Sequence, residues 1–200
     1  MPVTINGNGS ITGLSVGGLP NGSVDADTLA SNAVTTNKIA NSAVTPAKST
    51  ITSGLDFAQW RVTSLFGGGD VDPITNWTET SDKNVTLTES SGIFSFPSTG
   101  YWEIMMQMYG YKNTDNDNIE LHIMTTTNNS SYTTRSHAYS HMNNDDGGNL
   151  YISIQASLVF DVTNTSTHKV KFKTINNTVN WAADSGRNDS YAIFKKLGDT

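Results

Sequence analysis

The sequence predicts an all-β protein, an antiparallel two-sheet sandwich, preceded by a segment that cannot build a core of its own. Three observations predict it. Between residues 55 and 200, one run after another alternates apolar and polar residues, as a strand with one buried face must. No segment holds a 3.6-residue apolar period over the length of a helix. Residues 1–52 contain no aromatic residue, so they lack the large side chains that an isolated core buries.

The strands follow in order. In Asp56–Phe66, the residues Ala58, Trp60, Val62 and Phe66 share a face. Shorter candidates come next at Val85–Thr88 and Ile93–Phe96. Tyr101–Tyr111 turns Trp102, Ile104, Met106 and Met108 to one side, and Asn118–Thr125 does the same with Ile119, Leu121 and Ile123. Thr134–His141 is a further short candidate. In Tyr151–Val162 every even position from Ile152 to Val162 is apolar. Val170 and Phe172 then alternate with Lys169, Lys171 and Lys173, and Tyr191–Leu197 closes the chain. Polar turns rich in Asn and Gly separate the runs, as at 113–118 and 143–149. Strands with one apolar face each are accommodated by two antiparallel sheets packed face to face. Tyr101, Met105, Tyr109, Tyr111, Tyr151 and Val159 fall on the faces opposite the core. A large aromatic outer face normally finds a partner, so these residues predict subunit contact; the alternative is ordinary amphipathic tyrosine on a solvated sheet face.

Residues 1–20 read as an extended anchoring arm, with Val3, Ile5, Ile11, Leu14 and Val16 spaced among small polar residues. Such an arm suits a groove or a sheet edge on another protein. Residues 21–52 carry a repeat with a period of ten. Val24, Val34 and Val44 mark one position, and Leu29 and Ile39 a second, with Ser49 breaking the series. Asp25, Thr35 or Thr45 is suited to cap a short helical turn, and Pro46 sits where a first helical residue would. Two apolar positions per unit are too few to fold one chain but suffice if other copies supply the partner surface. Val24, Leu29, Val34, Ile39 and Val44 are therefore the expected contacts of a three-chain stalk, and residues 53–200 are the knob.

Composition narrows the function. The formal charge is -6, and only 15% of residues are charged; a Lys/Arg footprint for nucleic acid is missing. There is no cysteine, hence no disulfide, thiolate zinc site or thiol nucleophile. No apolar run reaches the length of a membrane span, and the first residues lack the basic and apolar regions of a signal peptide. Release by cell lysis, rather than by a cleaved leader, fits that start. His137 and His141 fall on one side of a strand but lack a third ligand. Asp115, Asp117, Asn118 and Glu120 offer oxygens for calcium without the glycine and distal glutamate of an EF-hand loop, so a solvated turn is expected. Gly67-Gly68-Gly69 has no following lysine or helix and reads as a turn. With four glutamates (Glu79, Glu89, Glu103, Glu120) and no catalytic constellation, no enzyme and no cofactor are expected. Trp77, Tyr132, Tyr139 and Trp181 lie in or beside polar loops, where they serve either sugar recognition or the ends of the core.

Two resemblances sharpen this reading. The decapeptide pattern, with Val-Thr-x-x-Lys-Ile-Ala at 34–40 and Val-Thr-Pro-Ala-Lys at 44–48, resembles repeats of phage tail-fibre and related virion proteins. The stretch Phe96-Pro-Ser-Thr-Gly100-Tyr-Trp-Glu-Ile104, with the ending Tyr191-Ala-Ile-Phe-Lys-Lys-Leu197, resembles the C1q/tumour-necrosis-factor-like jelly roll. Between those two stretches the likeness is in strand rhythm only. The family's members form three-fold trimers, so the resemblance implies a homotrimeric jelly-roll knob. The expected protein is a phage virion component on the particle's exterior: a trimeric fibre, spike or capsid decoration. Its expected partners are its own copies and a capsid or tail protein, with neither nucleic acid nor membrane insertion. The alternative is a tail-fibre tip that binds a host receptor or a host-surface glycan.

Overall fold

The computed structural model describes residues 4–5, 11–12, 31, 33–35, 39–40, 43, 56–143, 147–176 and 178–200. The chain divides into two units, Met1–Ser53 and Gly54–Thr200. In the first, β1 (Thr4–Ile5) and β2 (Ile11–Thr12) pair antiparallel, with Ile5 opposite Ile11. Val34 and Ile39 of the repeat are exposed on the single chain, at 54% and 42%. Val3, Leu14, Val16, Val24, Leu29 and Val44 lie outside the described residues.

The second unit is a sandwich of two antiparallel sheets. One sheet has five strands in the order β10–β9–β12–β7–β6: Thr133–Met142, Asn116–Thr126, Lys169–Asn176, Ile93–Ser95 and Thr88–Ser90. The other is centred on β8 (Gly100–Lys112), flanked by β11 (Leu150–Val162) and β14 (Tyr191–Gly198). Beyond β14 come β3 (Asp56–Val62) and the edge strand β5 (Trp77–Lys83). Where β14 stops, β13 (Asn180–Trp181) takes over beside β8 and joins it to β4 (Phe66–Gly67). β8 and β11 stay in register over their whole length, from Lys112↔Leu150 to Gly100↔Val162.

The period-two residues meet in the middle. Trp102, Ile104, Met106 and Met108 of β8 are fully buried, as are Ile119, Leu121 and Ile123 of β9 and Val170 and Phe172 of β12. Phe94 is the hub. Its ring lies 5.5 Å from Trp60, 5.3 Å from Trp77, 5.7 Å from Phe172 and 4.9 Å from Phe194. Those partners come from both sheets, so one ring links the two layers. Edge and tilted ring geometries of this kind add to simple area burial.

The structure corrects the strand assignment in places. Phe66 is not on the strand of Ala58 and Val62 but on β4. Val85 and Leu87 are buried in the core without a strand; pairing begins only at Thr88. β5, Trp-Thr-Glu-Thr-Ser-Asp-Lys, shows no apolar alternation because it is an edge strand held by backbone pairing to β3. Its charged side chains suit an edge that must not recruit further strands. Trp77 and Trp181, read beside polar loops, are buried at 7% and 0% exposure, which removes both from any sugar-binding surface.

Two small residues make the packing of β8 possible. Gly100, which opens the strand after Phe96-Pro-Ser-Thr, has φ +136°, and a Cβ there would collide with the Gly198 carbonyl oxygen. At Gly110 a Cβ would stand 2.7 Å from Val179 Cγ1 and 2.9 Å from Trp181 Cε3. The buried Ser190 ties three elements together. Its hydroxyl donates to the Ala182 carbonyl at 2.7 Å and accepts from the Tyr109 N–H at 3.2 Å, while its own carbonyl accepts from the Val62 N–H at 3.0 Å. Ser190→Ala is expected to strand the Tyr109 N–H and the Ala182 carbonyl and to cost about 1–3 kcal/mol, read as a lower urea midpoint at unchanged m value.

Candidate functional site: the open face of the seven-stranded sheet

Alternation that sends Trp102, Ile104 and Met106 inward sends Tyr101, Glu103, Met105, Gln107, Tyr109 and Tyr111 to the opposite face of β8. The register places partners beside them: Tyr151 next to Tyr111, Ser157 next to Met105, and Val159 next to Glu103. On the other flank Ile193 of β14 stands beside Met105, and Lys195 beside Glu103. Ile193 in turn faces Gln59 of β3. The middle of this face is thus Met105 and Ile193, with Tyr191 and Gln107 on one side and a Glu103–Lys195 pair on the other.

Its polar groups are tied to one another. The Tyr191 hydroxyl donates to Gln107 Oε1 at 3.2 Å, and Lys195 Nζ lies 3.5 Å from Glu103 Oε2. Tyr109 and Tyr151 stack in parallel with centroids 6.1 Å apart, and Tyr111 leans on Tyr151 at 6.3 Å. Side chains that already hold each other lose little freedom when a partner arrives. Tyr101, Tyr151 and Val159 remain 44%, 63% and 56% exposed, so no element of the described chain covers them. Glu103, Met105, Ile193 and Lys195 line a shallow, mainly apolar depression of about 160 Å³. A second hollow of about 340 Å³ lies between Tyr109, Ser153 and the Arg187-Asn188-Asp189 loop. The Arg187 guanidinium there is neutralised by Asp184 and Asp189. Backbone hydrogen bonds from Gly186 and Arg187 to Asp184, with the Arg187 charge beside it, hold the Asp184 carboxyl below the ordinary carboxylate range.

The strand order is β5–β3–β14–β8–β11 against β6–β7–β12–β9–β10, and solved structures share the fold. The fold is a TNF-like jelly roll. The crystal structure of murine APRIL at pH 5.0 aligns over 72% of this chain and 100% of that one, with a TM-score of 0.56 at 13% identity. The structure of Eiger TNF from S. frugiperda aligns over 73% and 94%, with a TM-score of 0.57 at 14% identity. No protein-family model and no curated protein sequence matches the chain.

The remaining residues singled out by sequence find their places on the TNF-like jelly roll. His137 and His141 share the exposed face of β10, and His137 stacks on His122 at 5.6 Å. Among the described residues no group of three His, Cys, Asp or Glu side chains is placed to hold a metal. Asp115 is exposed in the turn before β9, but Glu120 turns to His122 Nε2 at 2.6 Å instead of joining it. Tyr132 is half-buried under the Lys171 ammonium, 4.9 Å from its ring, and the same partial burial raises its phenol pKa. Tyr139 alone of the four loop aromatics stands open, at 62% exposure. Sequence reading missed Ile193 and Gln107 as parts of the open face. Their signal was present in the alternation of 101–111 and 191–197, but pairing of those two strands was not visible.

Proposed function

We propose that the chain is a homotrimeric, non-enzymatic structural protein of a phage virion, displayed on the particle as a fibre, spike or capsid decoration. The observation that carries the trimer is the open sheet face around Met105, Ile193, Tyr109 and Tyr151, an apolar and aromatic surface with its polar groups already paired. Three such faces meeting about one axis would bury it. The jelly-roll resemblance supports three-fold symmetry, because that family assembles as trimers. Exposed Val34 and Ile39 support a second contact in the repeat, where other copies supply the missing apolar surface. The resemblance of residues 34–48 to virion repeats supports the particle as its location. Residues 1–20 then reach a capsid or tail protein, and three arms on one knob convert weak single contacts into avidity.

Two measurements test this reading. Light scattering on the full chain is expected to give a mass near three times 21.5 kDa; a mass of one or two chains defeats the trimer. Antibody raised against residues 54–200 is expected to decorate intact phage particles that carry this protein. Particles left bare, with the protein found only in the lysate, defeat the virion assignment.

A further inference from the structure

The sandwich has a second outer surface, on the five-stranded sheet, and its chemistry differs from that of the open face. Along β10, His137, Tyr139 and His141 occupy every second position, and all three are exposed. The rise of a strand sets successive rings about 7 Å apart. His137 is fixed from beneath by the His122 ring. His122 is itself held between Thr134 Oγ1 at 3.1 Å and Glu120 Oε2 at 2.6 Å. Nothing in the core requires Tyr139, since the buried side chain of this part of the strand is Met142.

β12 adds charge to the same surface. Val170, Phe172 and Thr174 are buried, so Lys169, Lys171 and Lys173 point outward. Lys169 is occupied by the Ser95 hydroxyl and the Thr165 carbonyl, and Lys171 by Asp72. Lys173 stands in register with His122 and makes no hydrogen bond or ion pair among the described residues. It lies two strand spacings, about 10 Å, from the ring row. The whole chain holds 18 acidic and 12 basic residues, so a lysine row with a free ammonium runs against the general balance.

A row of flat rings beside one unpaired ammonium has a matching ligand chemistry. The C–H faces of a pyranose lie on flat rings, its hydroxyls meet imidazole nitrogens and a carboxylate, and an acid group on the sugar meets the ammonium. We propose that the outer face of β10, β9 and β12 binds an acidic glycan, with Tyr139 as the stacking platform and Lys173 as the partner of a sugar carboxylate. Lys173 and the exposed Arg135 of β10 are two cations, too few for a nucleic-acid backbone, which demands many. The site lies on the opposite sheet from the open face proposed to assemble, and three copies would supply avidity.

Native electrophoresis of the full chain through gels with polygalacturonate, dextran or a single-stranded oligonucleotide covalently immobilised in the matrix tests the proposal. Polygalacturonate, a polymer of a carboxylated pyranose, is expected to retard the protein, less so as salt rises; dextran and the oligonucleotide are not. Tyr139→Ala is expected to weaken the apparent affinity by up to about tenfold and Lys173→Gln by about two- to fivefold, with melting temperatures unchanged because both side chains project from the surface. Equal retardation by dextran, equal or stronger retardation by the oligonucleotide, or unaltered binding by Tyr139→Ala would each overturn it. Light scattering on the same samples separates this outcome from the fate of the trimer.

Discussion

Ile193→Asp is expected to turn the assembled protein into monomers. Ile193 sits between Met105 and Gln59 in the middle of the open face, so three-fold assembly would enclose three copies of the new carboxylate. A buried carboxylate without a partner costs several kcal/mol, and like charges converging on one axis repel. Lys195, which lines the same depression, is already committed to Glu103. Within one chain the substitution costs little, since Ile193 points away from the core that Ala192 and Phe194 fill. The expected result is therefore a fall in light-scattering mass to 21.5 kDa with the β-sheet circular dichroism kept. Thr88→Asp, exposed at the edge of the other sheet, is expected to leave the mass unaltered. A trimer that survives Ile193→Asp would move the main interface to the repeat.

Phe94→Ala is expected to be the most damaging single change to the fold. The ring contacts Trp60, Trp77, Phe172 and Phe194 at centroid distances of 4.9 to 5.7 Å, and it is fully buried. Its removal loses the transfer free energy of the ring and leaves a void that four large neighbours on two sheets cannot close together. Substitutions of this kind cost about 3–5 kcal/mol, a large part of the stability of an ordinary domain. Urea unfolding is expected to show the loss as a lower midpoint. Tyr139→Ala, an aromatic truncation on an exposed side chain, is expected to leave that midpoint in place, which separates the core role from aromatic content.

Much of the sandwich was readable from residues alone. Every even position from Ile152 to Val162 is apolar, and the structure buries that side of β11, with Leu158 half-covered. The same holds for Val170 and Phe172 between their three lysines. The reading failed where pairing, not burial, makes the strand. β5 has one core residue, Trp77, and β13 is two residues long, so neither presents a period to detect. It also failed for Val85 and Leu87, which reach the core from irregular chain. The Gly100 of the Phe–Gly–aromatic stretch is explained by close approach of the Gly198 backbone, a contact across almost a hundred residues that no local pattern announces.

For the site, sequence marked Tyr101, Met105, Tyr109, Tyr111, Tyr151 and Val159 as an outward set, because alternation fixes which side of a strand a residue takes. It did not place Ile193 and Gln107 in the same patch. Alternation is a property of one strand, whereas a surface patch is made by neighbours. Placing β8 between β11 and β14, in the registers Met105↔Ser157 and Met105↔Ile193, depends on backbone hydrogen bonds between segments distant in sequence. Likewise Trp77 and Trp181 differ from Tyr139 in burial, not in local context. The sequence by itself determined the class of fold and the faces of the long strands. Tertiary structure alone decided strand order, which aromatics the core consumed and which side chains became neighbours on each outer face, because those follow from long-range pairing that a residue's own neighbours do not encode.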